Sequence, residues 1–255
     1  MSGTPMKCLA LDTTTDVCSL ALADDSGLIA EYDFAHKMDL SRRLMPNVVS
    51  MLRDCGLETK DVQAVGVSLG PGSFTGLRMG VTTAKTLAQA LNIPIVGIVT
   101  LELLAQQFDY LPDSIICPLI KVRKGEVYYA FYHASKGTVA RMSEYESGPI
   151  TDVIQQALSP AHFPSANPKS EIRNPKSEII FCGDALELYL PTLSDGLGDR
   201  AVPAPAWLCY PKASILARLA LERISSGQAD DFTTLVPFYI RKSAPEHRLD
   251  ECPRR

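Results

Sequence analysis

From Lys7 onward, short apolar runs alternate with polar turns. Lys7 to Leu11 leads into Asp12-Thr13-Thr14-Thr15-Asp16, Val17 to Ala23 into Asp24-Asp25-Ser26-Gly27, and Leu28 to Ala35 follows. Short runs bounded by such turn residues predict an antiparallel meander of three strands. Leu40, Leu44, Val48, Met51, Leu52 and Cys55 then recur at helical spacing. They predict a helix over Leu40–Cys55, with Asp39 as N-cap and Gly56 as its stop. Pro46 lies inside it and should kink it or move its start. Val62 to Leu69 predicts a buried strand that runs into a Gly-rich loop, and a second helix continues to about Leu91, ending before Pro94.

The second half opens in the same style. Ile115 to Val122 predicts a strand, Arg123-Lys124-Gly125 a turn, Glu126 to His133 a second strand and Thr138 to Met142 a third. A repeated meander followed by helices predicts two related lobes, each an α/β ribonuclease-H-like unit. The expected division is 1–104 for the N-terminal lobe, joined by a helix at 211–226, and 105–255 for the C-terminal lobe. Asn-Pro-Lys-Ser-Glu-Ile occurs at 167–172 and again at 174–179. This polar tandem predicts a disordered surface insertion at 163–178.

Composition narrows the function classes. The chain has 255 residues, 46% hydrophobic and 21% charged, as an ordinary globular protein does. No apolar run approaches the roughly 20 residues that span a bilayer, and the start lacks the apolar stretch of a secretory signal. A cytoplasmic protein without a membrane segment is the expectation. The seven cysteines are scattered with no CxxC pair, and the four histidines are isolated, so no metal site is predicted. A net charge of −4 lacks the basic excess of an autonomous nucleic-acid binder.

Two loops carry candidate chemistry. Asp12, Thr13, Thr14 and Thr15 sit at a strand-to-strand turn, where hydroxyls and backbone N–H groups can cradle a phosphate and a carboxylate can hold Mg²⁺. The alternative is a plain Thr-rich turn. Gly70, Pro71, Gly72, Ser73, Phe74, Thr75, Gly76, Leu77 and Arg78 join a buried strand to a helix, whose N-terminus attracts anions. No Gly-Lys-Ser/Thr follows, so it is not a Walker A loop. The bland reading is a tight turn with Ser73 as N-cap. Gly76, Gly80, Ala84 and Ala88 form a small-residue stripe that admits either the protein's own elements or a partner helix. Gly66-Val67-Ser68-Leu69-Gly70 matches the GxSxG elbow of serine hydrolases. Ser68 falls inside the apolar run rather than at the turn, so the match is accidental.

Leu9-Ala10-Leu11-Asp12-Thr13-Thr14-Thr15, the Gly70–Arg78 string, Gly125-Glu126-Val127-Tyr128 and Pro237-Phe238-Tyr239-Ile240-Arg241 together resemble the TsaB (YeaZ) family in order and spacing. The resemblance implies a two-lobed actin-like ATPase fold of the sugar kinase/Hsp70/actin type. It implies a subunit without catalytic residues of its own that binds a TsaD-type paralogue in tRNA N6-threonylcarbamoyladenosine formation. A TsaE-type ATPase joins through the complex, the chain alone forms a homodimer, and tRNA is held mainly by the complex. The implied partner face comprises Leu40, Leu44, Val48, Met51, Gly76, Gly80, Ala84 and Ala88. No cofactor is required, though weak ATP or ADP binding with Mg²⁺ at Asp12–Thr15 is an expectation. Two departures bear on it: Leu40 stands where the family has histidine, and Lys121 where it has aspartate. The rival reading is an active ATPase or kinase of this fold with Asp12 as Mg²⁺ anchor.

Overall fold

A computed structural model describes residues 5–36, 39–122, 125–159 and 178–240. The first sheet contains β1 (Cys8–Asp12), β2 (Val17–Asp24), β3 (Gly27–Ala35), β4 (Ala64–Gly70) and β5 (Ile95–Val99), in the order β3-β2-β1-β4-β5. The strands joined by short turns pair antiparallel. Between β3 and β4 comes the helix α1 (Leu40–Asp54), and between β4 and β5 the helix α2 (Phe74–Leu91). Such crossovers return the chain in the same direction, so β4 and β5 pair parallel.

The second sheet repeats the plan. After α3 (Thr100–Gln106) come β6 (Ser114–Lys121), β7 (Glu126–Tyr129), β8 (Tyr132–Ser135), β9 (Thr138–Arg141) and β10 (Glu146–Pro149). Then follow α4 (Ile150–Leu158), β11 (Ile179–Cys182), α5 (Leu186–Leu197), β12 (Ala201–Pro203) and α6 (Ala213–Ser225). The order β10-β7-β6-β11-β12 matches that of the first sheet strand for strand, and the directions match as well. The fold is thus the duplicated, two-lobed actin-like α/β architecture.

The strand predicted over Glu126–His133 is interrupted. Leu119 lies opposite Tyr129 and Ile116 opposite Tyr132, so β7 and β8 keep one register along β6. That register sets Pro118 opposite Ala130, and proline has no N–H to offer the ladder. The third strand is divided at the same level into β9 and β10. There Met142 donates its N–H to the Phe131 carbonyl at 2.8 Å, and Ser143 Oγ accepts the Phe131 N–H at 2.9 Å.

Alternation sorts the first lobe into three layers. Leu9, Leu11, Leu20 and Leu22 face α1 and α2 and share one core with Leu44, Val48, Met51, Leu77 and Val81. Cys8, Ala10, Ala21 and Ala23 face the opposite way and pack on α6 through Leu216, Ala217 and Ala220. Small side chains on that side bring α6 close; a methyl on Gly66 would lie 3.1 Å from the Ala220 Cβ. The second core gathers around Phe131, Tyr129, Phe181 and Leu193. α3 lies between the lobes, with Leu103 in the α6-side core and Leu101, Leu104 and Ala105 in the second.

α1 starts at Leu40 and runs through Pro46, so the proline does not move its start. Pro46 is on the exposed side, where water can take the carbonyl its missing N–H leaves open. Asp39 makes no side-chain cap; its backbone carbonyl accepts the Arg42 N–H at 3.0 Å. The insertion expected at 163–178 lies, as far as Ser177, outside the described residues.

Candidate functional site between two loops

The two loops that the sequence presents separately form one structure. Thr13 Oγ1 donates to the Gly76 carbonyl at 2.8 Å, and the Ser73 N–H donates to the Thr14 carbonyl at 2.7 Å. Ser73 caps α2, its hydroxyl accepting the Gly76 N–H at 3.3 Å. The glycines are what allow this approach. A Cβ on Gly72 would stand 2.4 Å from the Thr14 carbonyl oxygen, on Gly76 2.1 Å from that of Thr13, and on Gly80 2.2 Å from Thr13 Oγ1. Gly70, at φ +99°, ends β4 before a cis bond to Pro71, and the Phe238 N–H closes onto the Leu69 carbonyl at 2.7 Å.

This geometry corrects the residues assigned to a partner face. Gly76, Gly80, Ala84 and Ala88 are buried in the chain's own core, the first two against Thr13. Leu40, Leu44, Val48 and Met51 are 3%, 2%, 0% and 0% exposed and join the same core. The apolar side chains that α1 does show to solvent are Met45 and Val49. Helical periodicity locates the buried stripe, and an intact protomer presents the opposite one.

The Asp12–Thr15 turn is buried throughout. Asp12 accepts the Thr14 N–H at 3.2 Å and the Thr14 hydroxyl at 3.0 Å, while Thr15 Oγ1 donates to the Val17 carbonyl at 3.0 Å. His36 Nε2 sits 3.1 Å from the Thr15 carbonyl, an acceptor, which requires the proton on Nε2. Burial pushes the Asp12 carboxyl up to about 6, although the nearby Ser68 hydroxyl and the bonds from Thr14 oppose it. These residues do not fit a Mg²⁺-nucleotide: the carboxylate has no exposed face, and the hydroxyls of Thr13, Thr14 and Thr15 already donate within the chain.

What opens to solvent is a cleft of about 390 Å³ between the lobes, lined by Thr14, Asp16, Ser73, Phe74, Lys121 and Asp184 among others. Asp184 follows β11 and accepts the Lys121 backbone N–H at 2.8 Å. Burial raises its carboxyl above the usual range, Asp16 across the cleft adds to this, and the Lys121 charge opposes it. The contact mirrors the first lobe: a Cβ on Gly183 would stand 2.1 Å from the Leu119 carbonyl oxygen, where one on Gly72 would stand 2.4 Å from that of Thr14. Sequence reasoning missed Asp16 and Asp184 as cleft residues. A strand-end Gly-Asp at the place where the first half has Gly-Pro-Gly was the available signal. Ser68 lies within β4, 2% exposed, which rules out a nucleophile elbow.

Beside the cleft, the Arg78 guanidinium lies 4.0 Å over the Phe74 ring, whose centroid is 5.7 Å from that of Tyr239. Arg78 Nε approaches the Tyr239 hydroxyl at 3.5 Å. Among the described residues, no helix is long and apolar enough to cross a membrane, and no cluster of three His, Cys, Asp or Glu side chains could hold a metal.

Comparison with known proteins places this architecture. The family model described as "TsaD: tRNA N6-adenosine threonylcarbamoyltransferase" matches residues 35–248. The tRNA threonylcarbamoyladenosine biosynthesis protein TsaB of Bacillus subtilis is 33% identical over 96% of this chain and 99% of its own length. The protein of the same name from Escherichia coli is 30% identical over 60% of this chain and 66% of its own. Among solved structures, YeaZ from Pseudomonas aeruginosa superposes with a TM-score of 0.72 at 24% identity, covering 92% of this chain and all of that one. With the TsaD family model spanning most of its length and a TsaB relative matched almost end to end, the chain belongs to the TsaB (YeaZ) family.

Proposed function

We propose that this protein is the cytoplasmic, non-catalytic subunit that binds a TsaD-type paralogue and makes it competent for tRNA N6-threonylcarbamoyladenosine formation. The observation that carries this is the 33% identity to a protein of that pathway over 99% of its length. The interior of the turn supports a scaffold rather than an ATPase. Asp12, the residue an actin-like enzyme would use at its metal, is 0% exposed and bonded to Thr14. Burying a carboxylate against its neighbour's hydroxyl braces the turn, and it leaves no solvent-facing oxygen for a cation.

Association with the paralogue, with a TsaE-type ATPase through it, and with a second copy when alone belongs to the same reading. The exposed side of α1, with Met45 37% and Val49 40% exposed, supplies apolar surface for it. The test is reconstitution with TsaC-, TsaD- and TsaE-type proteins, tRNA, ATP, threonine and bicarbonate. Modified adenosine formed only when this chain is present, together with co-elution with the TsaD-type protein, is the expected result. Equal modification without it would overturn the reading.

A further inference from the structure

We propose that Phe74, Arg78 and Tyr239 form a shelf that stacks unpaired bases of the RNA substrate; this rests on the assignment to tRNA modification. The chain carries net charge −4, yet no Asp or Glu occurs from Val62 to Leu101, nor from Phe232 to Pro245. The described parts of those stretches contain Arg78 and Lys85. They also meet in space: Phe238 bonds Leu69, and Lys85 Nζ donates to the Leu235 carbonyl at 2.8 Å. The two acid-free stretches thus meet in one strip of an acidic protein, where Arg78 reaches Tyr239 and has no ion pair among the described residues. Lys85 is offset by the nearby Asp231 charge, while a cation placed as Arg78 is can hold a phosphate.

On this strip the aromatic rings stay in solvent. Phe74 and Tyr239 are each 43% exposed, against the tendency of rings this size to bury. Arg78 lies flat on Phe74, and with the described residues it forms no ion pair, which leaves guanidinium donors for phosphate. Exposed π faces interleaved with an unpaired arginine are the features that bind single-stranded nucleic acid, where stacking supplies affinity and cations hold the backbone. A duplex hides its base faces, so the shelf fits a loop rather than a stem.

The test titrates the full chain against a fluorescent RNA hairpin with a seven-base loop and a fully paired RNA of equal length, over a range of salt. We expect tighter binding of the loop. Phe74→Leu and Tyr239→Leu should each weaken it roughly 5- to 150-fold while the far-UV spectrum and melting temperature stay unchanged. Arg78→Lys should keep the salt dependence and lose affinity, whereas Arg78→Ala should reduce the log–log salt slope by about one. Equal affinity for loop and duplex, or unchanged binding by both leucine variants, overturns the shelf. So does release of the TsaD-type partner by Arg78→Ala with RNA affinity intact, which would mark a protein interface. Failure of the pathway assignment would show separately, as modification that proceeds without the chain.

Discussion

Thr13 and Gly76, 63 residues apart, are locked by a hydrogen bond of 2.8 Å from the threonine hydroxyl to the glycine carbonyl. The reverse face of the contact is just as close, since a methyl on Gly76 would stand 2.1 Å from the Thr13 carbonyl oxygen. Both atoms are backbone or β-carbon, so neither side can yield by a rotamer change.

Gly76→Ala should therefore destabilise the protein by about 1–3 kcal/mol or more, the cost of overpacking a site that cannot relax. Ser73→Ala, which removes the cap on the Gly76 N–H, should cost about 1 kcal/mol. Thr75→Ala, at an exposed position between them, should stay within about 0.5 kcal/mol. Urea unfolding of the three variants checks the order.

The Asp12 carboxyl, raised from 3.8 to about 6 by burial, holds its proton in the folded state where the unfolded chain has lost it. Its stabilising contribution is thus present below about pH 4 and is lost as pH rises through about 6, amounting to roughly 2–4 kcal/mol. Asn at this position keeps an acceptor for the Thr14 N–H and cannot ionise. The stability difference between Asp12→Asn and wild type should grow in favour of the variant from pH 4 to 7 and then level. Denaturant midpoints across that range measure it, and a flat difference would contradict the protonation of buried Asp12.

Nucleotide binding gives a third test. With the Thr13–Thr15 hydroxyls donating inside the chain, titration calorimetry with ATP and Mg²⁺ should show no saturable heat at the turn. Saturable binding abolished by Asp12→Asn would show that the turn opens, and would revive the ATPase alternative.

For association with the paralogue, position on α1 matters more than helix identity. Met45→Glu, at an exposed site, should leave stability within about 0.5 kcal/mol and weaken co-elution with the TsaD-type protein. Leu44→Ala, in the core, should cost about 2–5 kcal/mol of folding stability. If Met45→Glu and Val49→Glu bind the partner as wild type does, this face is not the interface.

Much of the fold was legible before any coordinates. The meanders, the α1 and α2 boundaries and the duplication all follow from local alternation, helical spacing and turn residues, which are short-range properties. The break between β7 and β8 was half-legible: Pro118 is plain in the sequence, but its effect falls on Ala130, whose place opposite it depends on register. The partner residues on α1 and α2 were misplaced for a related reason. Periodicity identifies an apolar stripe, and only packing says whether the chain's own sheet already covers it.

By itself, the sequence determined the family, through motifs that resemble the family's in order and spacing along most of the chain, and the architecture, through patterns that need only neighbouring residues. Tertiary structure alone decided what the motifs do here. It brought the Asp12–Thr15 turn against Gly72, Gly76 and Gly80, turned a candidate phosphate cradle into a buried brace, and set Asp184 and Lys121 across a cleft from Asp16. The physical reason is that hydroxyls, carboxylates and glycines are versatile groups. Their role is chosen by which partner lies within hydrogen-bond or van der Waals distance, and for Thr13 that partner is 63 residues away.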